Sequence, residues 1–334
     1  MKYSVLIGID VSKETLDYGV FIDGNKAFHY QSSNDKKGIK KFLRRLKKEN
    51  DNKSSWLFCL EKTGIYCNHF LSLSVIEQLD VWLEDPVKIK SFHGHQREKN
   101  DKIDSIRIAQ YALAKQADLR LWEPPRGIIE ELKALLKLRG RLVDTQMRLK
   151  VPLSEDSLFK DKSIVKEHRK HVTPILKSLS KEIKEIEQKI IRLLKNDKSL
   201  NTQYKLVTSV KGVGLIVGAN LLVVSNEFKD IKDPRKMACH CGLAPFKTQS
   251  GKSVRSRNKV SHRANKNMKT LLNLAARSAV ASKGELRNYY LRKVDEGKNK
   301  MSVMNAVRNK IVHRVYACIR DNRKYENFYT HALA

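Results

Sequence analysis

A carboxylate inside an apolar strand constrains this chain more than any other feature. Residues 3–9 are rich in β-branched and aliphatic side chains and predict a buried strand, and Asp10 follows at once in Ile7-Gly8-Ile9-Asp10-Val11-Ser12. A buried carboxylate needs a cation or a hydrogen-bonding partner. The segment therefore predicts that positive charge is bound at the end of the first strand.

Three further carboxylates are candidates to join Asp10. Glu61 ends the apolar run Trp56-Leu57-Phe58-Cys59-Leu60. Asp101 and Asp104 lie three residues apart in a helical pattern, which places both on one face of the helix. Four converging carboxylates repel one another unless a divalent ion neutralises them, and oxygen-rich sites suit Mg²⁺ or Mn²⁺. The four acids thus predict a metal site.

The predicted elements up to residue 115 follow the order β-β-β-α-β-α-β-α. They are strands over 4–11, 16–23 and 26–31, a basic helix over 37–48, the strand ending at Glu61, a helix over 66–78, a strand over 80–83 and a helix over 103–115. This is the order of the ribonuclease-H-like fold, whose mixed sheet brings the first strand, the fourth strand and the last helix together. The four acids occupy those places. We predict an α/β domain over residues 1–122, bounded by Trp122-Glu123-Pro124-Pro125.

Each acid also has an ordinary structural explanation. Asp10 could cap a helix that begins at Val11, and Glu61 could merely end a strand. Asp101 could cap the next helix, with Asp104 in its first turn. Taken together, these explanations account for the four positions less well than a metal site does.

The charge of the chain indicates a polyanionic partner. Lys and Arg number 67 against 36 Asp and Glu, which gives a formal net charge of +31. Nucleic acid is favoured over a membrane because no stretch approaches the roughly 20 apolar residues of a membrane-spanning helix. The N-terminus resembles no signal peptide, and the five cysteines form no CxxC pair, so we expect a cytoplasmic location.

Residues 123–200 are predicted to form a helical linker and oligomerisation region. Apolar residues recur at helical spacing from Ile128 to Leu149, whereas residues 151–168 are polar and indicate a connection. A heptad seam follows at Val172, Leu176, Leu179, Ile183, Ile186, Ile190 and Leu193. This coiled-coil seam needs a partner helix, either from a second copy or from the helix that begins at Ile128, and the sequence does not separate the two.

Residues 201–334 are predicted to form a mainly α-helical C-terminal domain. Its first motif is Lys211-Gly212-Val213-Gly214, followed by an Ala/Leu-rich helix over 216–224. This resembles a helix-hairpin-helix element, which meets a phosphodiester backbone through exposed amides, so Lys211, Gly212 and Gly214 are candidate nucleic-acid contacts. A tight turn between two helices is an equal alternative.

The sequence holds no carboxylate between Asp233 and Glu285, and a one-sign run of this length argues for phosphate contact. Ser250, followed by Gly251 and a cluster of cations, is a candidate nucleophile. A serine in a basic loop is more often a phosphate-binding hydroxyl or a turn residue. The candidate nucleic-acid-binding side chains of this window are Lys252, Arg255, Arg257, Arg263 and Lys266.

In these motifs the chain resembles the DEDD transposases of the Piv/MooV-related insertion-sequence family. Two departures are that Ser105 stands where members commonly have alanine, and that Ser253 and Ser256 lie close to Ser250. The choice of nucleophile therefore rests on the Ser-Gly match. The matching motifs, in order, are residues 7–13, Glu61-Lys62-Thr63-Gly64-Ile65-Tyr66, Asp101-Lys102-Ile103-Asp104, Gly212-Val213-Gly214, and Gly242-Leu243-Ala244-Pro245 through Ser250-Gly251-Lys252.

The resemblance implies a RuvC-like N-terminal domain, a coiled-coil middle and a C-terminal transposase domain with a catalytic serine. It implies that Asp10, Glu61, Asp101 and Asp104 hold Mg²⁺, and that Ser250 attacks the scissile phosphate and becomes linked to the DNA 5′ end. The two centres would form a composite site between subunits. Implied partners are donor and target DNA, a structured guide (bridge) RNA and further copies of the chain, as a dimer or tetramer. The implied setting is a prokaryotic cytoplasm, associated with the nucleoid.

Two other functions are to be distinguished from an RNA-guided recombinase. One is a RuvC-like endonuclease of the junction-resolvase type, which hydrolyses DNA with water while Ser250 only binds phosphate. The other is a non-catalytic DNA- or RNA-binding protein with a degenerate acidic site, against which the presence of all four acids speaks.

Overall fold

The computed structural model describes residues 2–94, 100–246, 249–250, 254–255, 259–261 and 263–327. For residues 249, 250, 254, 255 and 259 it describes the backbone alone. The chain divides into two compact units between Pro124 and Pro125. The three-domain division, with boundaries after residues 122 and 200, stays a prediction.

The first unit is built on a five-stranded mixed sheet with the strand order β3-β2-β1-β4-β5. β2 runs antiparallel to β1 and β3, whereas β1, β4 and β5 run parallel. The predicted mixed α/β sheet is confirmed. Its strands are β1 Val5–Val11, β2 Thr15–Ile22, β3 Asn25–Ser33, β4 Trp56–Glu61 and β5 Asp80–Glu84. The helices are α1 Lys36–Glu49, α2 Asn68–Ile76, α3 Pro86–His93 and α4 Asp101–Ala114.

The two faces of the sheet bury separate apolar cores because side chains alternate along each strand. One face packs against α1 and α2, with Ile7, Ile9 and Phe58 among its members. The other face packs against α3 and α4 through Leu6, Cys59 and other side chains.

Two glycines let α4 lie directly on the sheet. Gly8 of β1 pairs with Gly19 of β2, so the two glycines are neighbours on one face. A Cβ added at Gly8 would lie 2.1 Å from the carbonyl oxygen of Ser105 and 2.3 Å from the amide nitrogen of Ala109, and one at Gly19 would lie 2.7 Å from the Cα of Ile106. Only glycine permits this approach of backbone to backbone. The glycine pair therefore sets the height of α4 above β1.

Ser105 fits this close packing without leaving a polar group unpaired. Its side chain is fully buried, and its hydroxyl donates a 2.8 Å hydrogen bond to the carbonyl oxygen of Lys102. Compared with an alanine at this position, Ser105 therefore adds a hydroxyl that the helix itself satisfies.

The second unit is mainly helical, as predicted. Its helices are α5 Gly127–Phe159, α6 Lys162–Asn196, α7 Lys198–Ser209, α8 Leu215–Val224, α9 Pro234–His240, α10 Lys266–Ala281, α11 Glu285–Asp295 and α12 Lys300–Arg320. Short strands β6 Pro245–Phe246 and β9 Lys259–Val260 pair with each other, as do β7 Gln249–Ser250 and β8 Val254–Arg255. Within the described ranges, no helix is both long and apolar enough to cross a bilayer.

α5 and α6 form an antiparallel hairpin. Arg139 pairs with Glu187 at 2.8 Å, and the Gln146 amide donates to the Ser180 hydroxyl at 2.7 Å. The seam of α6 thus has a partner within its own chain. The polar stretch 151–168, expected as a connection, is helical except near residues 160 and 161, because polar side chains suit the solvated tip of a long hairpin.

One arginine joins the start of α5 to the rest of the second unit. The Arg126 guanidinium donates to Glu227 at 2.6 and 2.8 Å and to Asp197 at 2.7 Å, and only 2% of the Glu227 side chain is exposed. Asn226, Glu227 and Phe228 all adopt left-handed backbone conformations, which cost about 1 kcal/mol or more each. The paired arginine holds this strained turn in place.

Candidate functional site

Asp10 and Glu61 lie at the same edge of the sheet, at the carboxyl ends of two parallel strands. Ile9 of β1 is in register with Leu60 of β4, so the next residue of each strand is a neighbour of the other. Both carboxylates project to the face that α4 covers, because side chains two or four positions earlier, such as Cys59, belong to that core. Asp10 lies within β1 and precedes no helix, so its explanation as a helix cap is wrong.

Asp101 and Asp104 occupy the first turn of α4, above the same edge. The helix is capped by Asn100, whose side chain accepts a 3.0 Å hydrogen bond from the amide of Lys102. The explanation of Asp101 as the cap is therefore wrong. Asp104 is partly buried, and its carboxylate accepts a 2.8 Å bond from the Arg107 guanidinium one turn later.

The pKa of Asp10 responds to the other three acids. Burial, and then the negative charges of Asp101, Asp104 and Glu61 in that order, together raise the pKa of Asp10 from its ordinary 3.8 to about 6. Within the described part of the chain, no lysine or arginine forms an ion pair with Asp10. A partly buried carboxylate with three like charges around it needs a cation to neutralise it.

The side chains of the four acids do not converge on a common point. Across the described ranges, no group of three Asp, Glu, His or Cys side chains lies close enough to hold a metal ion as placed. One oxygen of Asp104 pairs with Arg107 at 2.8 Å, and mutual repulsion opposes closer approach of the acids. The donor set of oxygens and its excess negative charge nevertheless fit a hard divalent cation.

A fifth carboxylate on this face, Asp17, was missed by sequence reasoning. It lies directly opposite Asp10 on β2 and is 3% exposed. Two side chains of β3 contact it, since His29 Nε2 lies 2.8 Å from its Oδ1 and the Gln31 amide donates at 3.1 Å. Asp17 is therefore satisfied within the sheet, and only knowledge of the β1–β2 register could have placed it beside Asp10.

Glu84 is a sixth carboxylate at this edge, at the end of β5 and in register with Glu61. It is 7% exposed, and its carboxylate accepts a 3.1 Å bond from the Tyr111 hydroxyl of α4 and lies 3.1 Å from Lys88 Nζ. Tyr111 lies seven residues after Asp104 on the same side of α4. The bond from Tyr111 to Glu84 thus fixes the rotation of the helix that carries the two aspartates. The predicted strand over 80–83 ended one residue too early to include this acid.

Replacing Tyr111 with phenylalanine tests this bond. We expect a stability loss of about 2 kcal/mol, because a buried hydrogen bond to a carboxylate is removed. We also expect about a tenfold loss of the DNA cleavage that the resemblance to DEDD transposases implies, because α4 is no longer held. Tyr3 is the matched control. Its hydroxyl donates to Asp80 at 2.6 Å at the opposite end of β5, so Tyr3→Phe should lower the melting temperature similarly and leave cleavage unchanged. Equal cleavage by the two variants would remove Tyr111 from the site.

The other predicted residues, which are candidate contacts to nucleic acid and the candidate nucleophile, lie in two regions of the second unit. Lys211, Gly212 and Gly214 form the turn between α7 and α8, where Lys211 is exposed and Gly212 has a φ of 87° and packs on the Ala275 carbonyl of α10. Whether this turn is a helix-hairpin-helix element stays a prediction. Its contact with a phosphodiester backbone stays a prediction.

The backbone of Ser250 lies in β7 and pairs with Val254 of β8. Arg263 lies shortly before α10 and Lys266 is its first residue, and both are exposed. The side chains of Ser250 and Arg255, and all of Lys252, Ser253, Ser256 and Arg257, lie outside the described residues. The assignment of the nucleophile therefore stays a prediction.

Comparison with known families gives matches in both units. Residues 7–155 match the model of a transposase family of the DEDD type named after IS110. Residues 204–291 match the model described as the transposase family of IS116, IS110 and IS902. The first match contains the four acids, and the second contains the α7–α8 turn and Ser250.

Comparison with individual proteins gives two relatives that are similar over nearly their whole length and one that is similar over part of it. The chain is 25% identical over 325 residues to the pilin gene-inverting proteins of Moraxella lacunata and Moraxella bovis, which covers 96% of this chain and 97% of each relative. It is 26% identical over 140 residues to a 44.8 kDa protein of insertion element IS116 from Streptomyces clavuligerus, which covers 40% of this chain and 35% of that protein.

Proposed function

Because the chain belongs to the IS116/IS110/IS902 family of insertion-sequence transposases, we propose that it cuts and rejoins DNA strands with a metal-bound acidic site and a serine nucleophile. The single observation that carries the proposal is the half-buried Asp10. Its pKa is raised to about 6 by burial and by three further carboxylates from two other elements.

The proposed metal ligands are Asp10, Glu61, Asp101 and Asp104. A bound Mg²⁺ or Mn²⁺ would polarise the scissile phosphate and stabilise the charge that develops on its oxygens. The protein's own contribution is placement. The placement is supported by the register of β1 and β4, which makes Asp10 and Glu61 neighbours, and by the glycine pair, which lets α4 with its two aspartates lie close to β1.

Ser250 is the proposed nucleophile. Its oxygen would form a bond to the scissile phosphorus while the bond from phosphorus to the 3′ oxygen breaks, and the released 3′ oxygen takes up a proton. The serine would then carry the DNA 5′ end until the 3′ hydroxyl of another strand displaces it. Such an exchange needs no external energy source, since each phosphodiester bond broken is replaced by another ester. The carboxylate-free window around Ser250 supports a phosphate-binding role.

RNA guidance and assembly are further parts of the proposal. The net charge of +31 supports binding of a structured RNA besides DNA. A dimer or tetramer is supported by the tip of the α5–α6 hairpin, where Leu158 and Phe159 are 75% and 86% exposed. Sequencing of RNA that co-purifies with the chain tests guidance, since one enriched species is expected and an unbiased mixture would contradict it.

Inversion of a DNA segment is a second candidate outcome of the same chemistry. It is favoured by the similarity, over nearly the whole chain, to proteins named for inverting a pilin gene. Inversion and insertion differ in which ends are joined, and both would use the same acids and serine.

Covalency tests the proposal against a hydrolytic RuvC-like endonuclease. We expect denatured reactions to contain protein joined to the 5′ ends of cleaved DNA, and Ser250→Ala to abolish both the adduct and cleavage. Ser253→Ala and Ser256→Ala are the matched controls and should retain the adduct. Free DNA ends and full cleavage by Ser250→Ala would favour the endonuclease instead.

A further inference from the structure

α1 presents a one-sign surface of unusual density. Eight of its 14 residues are Lys or Arg and one is Glu, and all eight cations are exposed. The opposite side of the helix buries Ile39, Phe42, Leu43 and Leu46 in the sheet core. The cations are thus held on a rigid, anchored helix: Lys36, Lys37, Lys40, Lys41, Arg44, Arg45, Lys47 and Lys48.

Most of these cations have no carboxylate partner. Arg45 lies 3.9 Å from Glu49, and Lys47 lies 3.4 Å from Asp51. Within the described part of the chain, the other six form no ion pair. A solvated helix face ordinarily carries both signs, as α6 does with Lys181, Lys184 and Lys189 set among three glutamates. The outer face of α1 therefore lacks the internal neutralisation of an ordinary surface.

The strand order places the start of α1 at the edge of the sheet that holds Asp10 and Glu61, which we call the acidic edge. β2 runs antiparallel to both β1 and β3, so β3 ends at the edge where β1 ends. Asn34, between β3 and α1, donates to the carbonyl oxygens of Ser12 and Tyr66 at 2.8 and 3.0 Å. These two residues closely follow β1 and β4. α1 therefore starts beside the edge that holds Asp10 and runs away from it for about 21 Å across the other side of the sheet.

We propose that the exposed basic face of α1 binds the phosphates of duplex DNA that flanks the cleavage site. The length of the helix corresponds to about six base pairs. DNA is the chosen partner because it is the substrate of the family, and because α1 starts beside the edge of the sheet that holds Asp10. The position of the contact relative to the cleavage site rests on the proposed function, whereas the contact with duplex phosphates does not.

Salt-dependent binding of the full-length chain tests the contact without requiring cleavage. The test variant replaces Lys37, Lys41 and Arg44 with glutamine, which keeps helix propensity and the buried stripe. The control replaces Lys181, Lys184 and Lys189 of α6. For a fluorescent mixed-sequence duplex, we expect the slope of log Kd against log salt to fall by about two to three in the test variant and by less than one in the control. Equal slopes for both variants would overturn the proposal. So would a test variant that binds duplex DNA normally and loses affinity only for a single-stranded RNA of equal length.

The position of the contact is tested by tethered cleavage. An iron chelate attached to the Lys41→Cys variant is expected to cut flanking DNA within about six base pairs of the phosphate that the protein cleaves. The same chelate on Lys184→Cys should give no cut there. A normal salt effect without localised cuts would retain the duplex contact and reject its placement beside the acidic edge. Localised cuts without a covalent protein–DNA adduct would support the α1 contact while the serine mechanism fails.

Discussion

Replacing Gly8 with alanine is expected to cost the first unit about 3 kcal/mol of stability, because the new methyl group overlaps backbone atoms that have no free space. The overlap is with the carbonyl oxygen of Ser105 and the amide nitrogen of Ala109. α4 must then rise or tilt, and its first turn carries Asp101 and Asp104. A displacement of about 1 Å is expected to lower DNA cleavage about a hundredfold. Urea unfolding and a cleavage assay measure the two effects.

Gly140→Ala is the matched control for this variant. Gly140 lies in the interior of α5, and an added Cβ there would meet nothing within 4 Å. Alanine should stabilise the helix by about 0.5–1 kcal/mol. Gly19→Ala should behave like Gly8→Ala, since its Cβ would lie 2.7 Å from the Ile106 backbone. If Gly8→Ala has the same midpoint of urea unfolding as the wild type, the glycine pair does not determine the position of α4.

Replacing Asp10 with asparagine is expected to lower DNA cleavage by at least about a hundredfold, because a proposed metal ligand is lost. The same substitution should stabilise the protein in the absence of divalent ions, since it removes a carboxylate that burial and three like charges disfavour. Opposite effects on activity and stability are the expected signature of a residue kept for function. A variant that is both less stable and fully active would contradict this role.

The stability gain from Asp10→Asn should depend on pH. Because the pKa of Asp10 is raised from 3.8 to about 6 on folding, the folded state binds more protons than the unfolded state between these values. The wild type therefore loses stability relative to Asp10→Asn as pH rises through this range, by less than about 3 kcal/mol because solvent screens part of the charge on this half-buried carboxylate. Below pH about 4 the carboxyl is protonated in both states and the difference should level off. Thermal unfolding of both proteins in a chelator across this range measures the effect.

Local patterns in the sequence were sufficient to predict many of the strands and helices. The apolar runs around Ile7 and Phe58 predict β1 and β4, and the spacing of Asp101 and Asp104 places them on one helix face. These signals come from residues close together in the chain, where periodicity is readable. The mixed sheet and the mainly helical remainder follow from them.

The features that sequence reasoning missed depend on register between distant segments. Gly8 and Gly19 matter only because they pair across two strands and meet α4. Glu84 resembles any acid at a strand end until Tyr111 is seen to bind it. The helical stretch 151–168 was missed because its polar composition suits both a loop and the exposed tip of a helical hairpin. Pairing between strands and packing of helices settle these points, and neither leaves a local pattern.

Binding of Mn²⁺ to the full-length chain tests the central claim most directly, namely that acids from β1, β4 and α4 share a divalent ion. Electron paramagnetic resonance titration of wild type against Asp10→Asn, Glu61→Gln and Asp104→Asn measures it. We predict that wild type binds Mn²⁺ and that each of the three substitutions weakens binding at least about tenfold. Binding that is unaffected by all three substitutions, or none in wild type with DNA present, would contradict the account.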